Sequence, residues 1–94
     1  MRTIENKATA LPDNMDYAKL IKICVNVPPK EGFSVEEMKK RIRILDVLDK
    51  DPIEIEDADF SILKQCVTQF RWGVLNKEII AFVDYIQELK ENNA

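Results

Sequence analysis

Apolar and polar residues follow two different periods along this chain, and each change of period marks an element. Residues 1–16 carry no sustained period and are mostly polar, with Leu11-Pro12-Asp13-Asn14 as a turn. They predict a flexible N-terminal arm ahead of a single small domain over 17–94. In residues 18–27, Ile21, Ile23, Val25 and Val27 alternate with Leu20, Lys22, Cys24 and Asn26. The β-branched residues on one face favour a strand. A helix is the alternative, through Tyr17, Leu20, Ile21 and Cys24 after an Asp16 cap. Pro28-Pro29 ends either element.

The period then lengthens. Ser34 and Glu37 match a capping box, with Phe33 and Met38 placed as a hydrophobic staple. They open a first helix over about 35–49. At about 100° per residue, Val35, Met38, Ile42, Leu45 and Leu48 form its apolar stripe, and Ile44 and Val47 widen it. A helix packed on one neighbour needs a narrower stripe, so the surplus predicts a central helix or half of a subunit interface. Ile44, Val47 and Leu48, with Trp72, are the candidate interface residues.

Asp51-Pro52 breaks that helix, and Ile53-Glu54-Ile55-Glu56 alternates as a short strand with one wet face. Residues 20–27 are its expected partner. Two strands alone are marginal, so helices must cover one side. A second helix over about 59–71 buries Phe60, Leu63, Cys66, Val67 and Phe70, with Gly73 as its stop. Asn76 caps a third over about 77–90, which turns Ile79, Phe82, Val83, Ile86 and Leu89 inward, with Tyr85 at the flank. Glu91-Asn92-Asn93-Ala94 is expected to fray. The fold class is α+β and mainly helical: β-α-β-α-α, a short two-stranded ribbon on three helices. If 16–26 is helical, an all-α chain is the alternative.

Composition narrows the chemistry. The 94 residues contain no histidine, which removes His triads, His metal ligands and a histidine pH switch. Cys24 and Cys66 sit in apolar runs without zinc spacing and are expected as buried free thiols in a reducing compartment. Phosphate loops and nucleophile elbows need glycines that are absent, since the only two are Gly32 and Gly73. The carboxylates from Asp46 to Asp59 enclose Pro52 and Ile53 and lack the central glycine of a calcium loop. No catalytic, cofactor or metal residues are assigned, and an enzyme is not expected. No leader is visible, and no apolar run approaches the ~20 residues of a membrane span. A cytoplasmic location without membrane contact is the expectation.

Net charge is −3 and uneven: residues 1–50 hold ten Lys/Arg against eight Asp/Glu, residues 51–94 four against nine. Opposed patches of this kind suit association. Lys39, Lys40 and Arg43 form a basic patch on the first helix, the one place where nucleic acid could bind. The last two helices, joined through Arg71-Trp72-Gly73-Val74-Leu75, suggest a helix-turn-helix. The final helix, however, offers Asp84, Gln87, Glu88 and Glu91, the wrong sign for phosphate.

The order VEEMKKRIRILDVLDK, IEIEDADFSILKQCV, a Trp and EIIAFVDYI resembles small helical accessory and assembly proteins encoded by tailed bacteriophages, over about residues 34–88. That resemblance implies a non-enzymatic role in the virion or the host cytoplasm. With the over-wide first helix, it points to a homo-oligomeric protein–protein contact module. The alternative is a small regulator that binds nucleic acid or the host transcription machinery.

Overall fold

The computed structural model describes residues 1–73 and 75–90; the fraying expected of 91–94 lies outside them. In chain order the elements are β1 (Arg2–Ile4), α1 (Tyr17–Asn26), α2 (Val35–Val47), β2 (Ile53–Ile55), α3 (Asp57–Gln69) and α4 (Lys77–Glu88). The fold is α+β and mainly helical, with one two-stranded antiparallel ribbon. Two parts of the sequence reading change.

The first concerns residues 18–27, which are helical rather than extended. Asp16 is the N-cap, and its Oδ1 accepts from Lys19 N at 2.9 Å. Asn6 Oδ1 accepts from Ala18 N at 2.9 Å, and Lys7 O from Tyr17 N at 3.0 Å. Free N–H groups at a helix start need such acceptors. The amphipathic helix then buries Tyr17, Leu20, Ile21, Cys24 and Val25 together. A strand would have turned Leu20 and Cys24 to the face opposite Ile21 and Val25.

The second concerns the N-terminal segment, expected as a flexible arm. Ile53 and Ile55 are buried with Glu54 outside, as their alternation predicts, but β2 pairs with residues 2–4 and not 20–27. Arg2 lies opposite Ile55, Thr3 opposite Glu54 and Ile4 opposite Ile53. Ile4 and Leu11 both join the core, and the Arg2 guanidinium sits 4.2 Å from the centre of the Phe60 ring. Between β1 and α1, residues 8–16 form a loop closed by Thr9 N donating to Met15 O at 3.0 Å. Asp13 and Asn14 take left-handed conformations in its turn, which these residue types tolerate.

α2 starts at Ser34, whose Oγ accepts from Glu37 N at 3.1 Å. The reciprocal half of the capping box gives way to another contact: Glu37 Oε1 pairs with Arg41 Nη2 at 2.9 Å. Gly32, at φ +83°, makes the turn into this helix. α3 buries Phe60, Leu63, Cys66 and Val67 as expected, and Phe70 already leaves the helix in an extended conformation, three residues before Gly73. α4 is capped by Asn76, whose Oδ1 accepts from Glu78 N at 2.8 Å, and it buries Ile79, Phe82 and Ile86. α2 packs on α3, α1 packs on both, and α4 closes the core against α3. The radius of gyration is 12.8 Å, close to the ~12 Å of a single domain this long.

Candidate contact surface

α2 is the element whose sequence carries more apolar residues than one packed face needs. The structure divides them, and the division is set by Arg41. This side chain is 8 % exposed. Its Nη1 donates to Val25 O and to Val27 O, both at 2.9 Å, which caps the last carbonyls of α1. Its guanidinium also lies 4.8 Å from the centre of the Phe33 ring. A charged group with these partners holds its side of α2 inward. Ile44, one turn on, is then fully buried, and Val47 and Leu48 are half-buried against the core.

The opposite side of α2 faces solvent. Val35 is 69 % exposed, Met38 43 % and Ile42 49 %. They stand at i, i+3 and i+7, which is one stripe on a helix, and half-buried Leu45 continues it. Val35, Met38 and Ile42, part of the apolar stripe that the spacing predicts, thus lie outside. Ile44, a candidate interface residue, lies in the core, and Val47 and Leu48, candidates with it, are half-buried against that core. Trp72 is also half-buried: its ring meets Phe70 edge-on at 4.5 Å and Phe82 at 6.2 Å. It covers the core where the chain leaves α3, while Leu75 and Ile80 beside it are exposed.

The basic patch is mostly spent within the fold. Arg43 binds Asp59 of α3 through two bonds, Nη2 to Oδ1 at 2.8 Å and Nε to Oδ2 at 3.0 Å. Asp59 is 4 % exposed, so a buried carboxylate depends on this cation. The hydrogen bond to Asp59 also holds the Arg43 guanidinium above its usual pKa. Lys40 Nζ lies 3.8 Å from Glu36 one turn back. Lys39 is exposed, and among the described residues no ion pair engages it or Asp46, which lies seven residues later on the same side.

The remaining chemistry is quiet. A cavity of about 370 Å³ lies where the C-terminal ends of α1 and α3 meet, with Cys24, Cys66, Lys30, Arg41 and Arg71 in its wall. Helix C-termini present carbonyl oxygens, and cations there complement them. Burial pushes the Cys24 thiol up to about 12, with the nearby Cys66 adding to it, and burial raises Cys66 as well. Both thiols stay protonated at neutral pH, and a protonated thiol is a poor nucleophile. Among the described residues no three His, Cys, Asp or Glu side chains converge to hold a metal ion. No described helix is long and apolar enough to cross a membrane. The carboxylates from Asp46 to Asp59 are dispersed: Asp59 faces Arg43, Asp57 lies 3.8 Å from Arg2, and Glu54 points to solvent. The chain matches no family model, no curated protein and no solved structure.

Proposed function

We propose that this chain is a non-enzymatic contact module that assembles with further copies of itself. Its expected role is that of an accessory or structural protein like those of tailed bacteriophages, in the host cytoplasm or the virion. The observation that carries the reading is the outward stripe Val35, Met38 and Ile42 on α2. Exposed apolar side chains are common singly, but a stripe on one helix face, rimmed by charges, has the form of an interface. The high thiol pKa values and the dispersed carboxylates support a role in contact rather than catalysis. The nucleic-acid alternative has less behind it, because Arg43 and Lys40 are engaged by carboxylates and Arg41 is buried.

Light scattering after gel filtration tests this directly, from about 10 µM to about 1 mM, the range of modest interfaces. The native chain should show a mass that rises with concentration. Met38→Lys combined with Ile42→Lys should keep the helical spectrum and remain a single copy throughout. A native chain that stays a single copy over the whole range would overturn the reading.

A further inference from the structure

The charges beside the apolar stripe also say how two copies would meet. Lys39 and Asp46 are seven residues apart on α2, two turns, and so lie on the same side of the stripe about 10 Å apart. Among the described residues, no ion pair engages either of them. Both border the exposed face that Val35, Met38 and Ile42 form. One side is thus basic towards the start of α2 and acidic towards its end.

Two such faces can be brought together in two ways. With the helices parallel, a two-fold axis along them carries this flank to the far side of the second copy, so Lys39 and Asp46 of one copy meet neither Lys39 nor Asp46 of the other and stay unpaired. With the helices antiparallel, a two-fold axis perpendicular to them keeps each flank on its own side and reverses its order. Lys39 and Asp46 lie equally far from the Ile42–Arg43 peptide. An axis level with that peptide therefore sets Lys39 of each copy against Asp46 of the other. The same operation brings Ile42 against Ile42 at the centre and Met38 against Leu45 on either side.

We infer that α2 docks antiparallel on the α2 of a second copy, about a two-fold axis level with Ile42, with Lys39 and Asp46 forming two reciprocal ion pairs. The occupant of the apolar face is thus this same chain. The inference rests on the reading of the chain as a self-associating module and specifies its geometry. An isologous interface of this kind closes after two copies.

Charge exchange tests the register separately from association itself. In dilute salt, Lys39→Glu and Asp46→Lys should each weaken the dimer about tenfold, because each turns two reciprocal exposed attractions into repulsions. The variant carrying both changes should return to within about threefold of the native dimer. Raising the salt should narrow all these differences. Ile42→Cys should form a disulfide between copies on mild oxidation, because only residues close to the axis meet their own symmetry mates. Val35→Cys, at the far end of the stripe, should not. The inference is overturned if the native chain dimerises but the double variant is as weak as the single ones. It is equally overturned if Val35→Cys cross-links and Ile42→Cys does not. In both cases self-association survives with another geometry. Absence of any dimer removes the parent reading as well.

Discussion

Arg41 and Arg43 stand two positions apart on α2 and hold the fold through different partners. Arg41 satisfies two carbonyls at the end of α1 and pairs with Glu37. Arg43 neutralises a carboxylate that the core side of α3 buries. Arg43 itself is exposed, but removing it leaves the buried Asp59 carboxylate without its counter-charge. Arg43→Ala should therefore lower the midpoint of urea unfolding, and Arg43→Ala with Asp59→Leu should recover part of the loss. A binding defect in Arg43→Ala would thus report folding as much as contact, and Lys39 is the cleaner probe of the surface. The thiols give a second prediction. An acid whose folded pKa is raised stabilises fully below its unfolded pKa and loses that contribution as pH rises through the folded one. For Cys24 the window runs from about 9 to about 12, and Cys66 and Tyr17, both raised chiefly by burial, act in the same direction. Stability under reducing conditions should fall steadily above pH ~9. A Cys24→Ala variant, compared with its own value at neutral pH, should lose less. An equal alkaline loss in both proteins would contradict the assignment.

Among the elements, α1 and α2 show how far periodicity reaches. Residues 18–27 satisfy a period of two and a period of 3.6, since Ile21, Val25, Leu20 and Cys24 belong to either pattern. The strand reading weighted the β-branched side chains, a preference that packing overrides. The deciding acceptors, Asn6 and Lys7, lie in a segment without any period of its own. On α2 the element and its cap were legible from Ser34 and Glu37, but the inward direction was not. Apolar residues occupy both sides of that helix, and the buried side contains a cation that hydrophobicity would place in water. The Glu37–Arg41 spacing, one turn apart next to Phe33, was the available signal for that burial. The orientation of α2 has a direct test. Ile44→Ala should cost about 3 kcal/mol of unfolding free energy, and Ile42→Ala should stay within about 0.5 kcal/mol in dilute, monomeric samples. Equal costs, or the reverse order, would contradict the orientation of α2.

At the scale of the molecule, the N-terminal segment ties the fold together. β1 closes a pairing with β2 across some fifty residues, Glu5 N donates to Tyr85 Oη on α4 at 2.8 Å, and Asn6 caps α1. Deleting residues 1–5 removes the partner of β2 and the buried Ile4. The expected loss exceeds about 3 kcal/mol, with a less cooperative thermal transition. A truncated chain that melts like the native one would show the segment to be an accessory arm after all. The oligomer proposed above draws on the same logic. A domain of this size buries a modest share of its surface, and an added interface on α2 would extend its apolar core.

The sequence by itself determined the local features. It placed the caps at Ser34 and Asn76, the alternation of Ile53 and Ile55, the inward stripes of the last two helices and the mainly helical α+β class. It also implied that the first strong helix carries more apolar surface than one neighbour can cover. These follow from interactions within a few residues, which spacing records. Tertiary structure alone decided that 18–27 is a helix, that residues 2–4 pair with β2, that Arg41 is inside and that Val35, Met38 and Ile42 are outside. Each of those depends on a partner far along the chain: a carbonyl, a carboxylate or a strand edge that periodicity does not register. The surplus on α2 was readable from order alone, but its position required knowing where Arg41 finds its carbonyls.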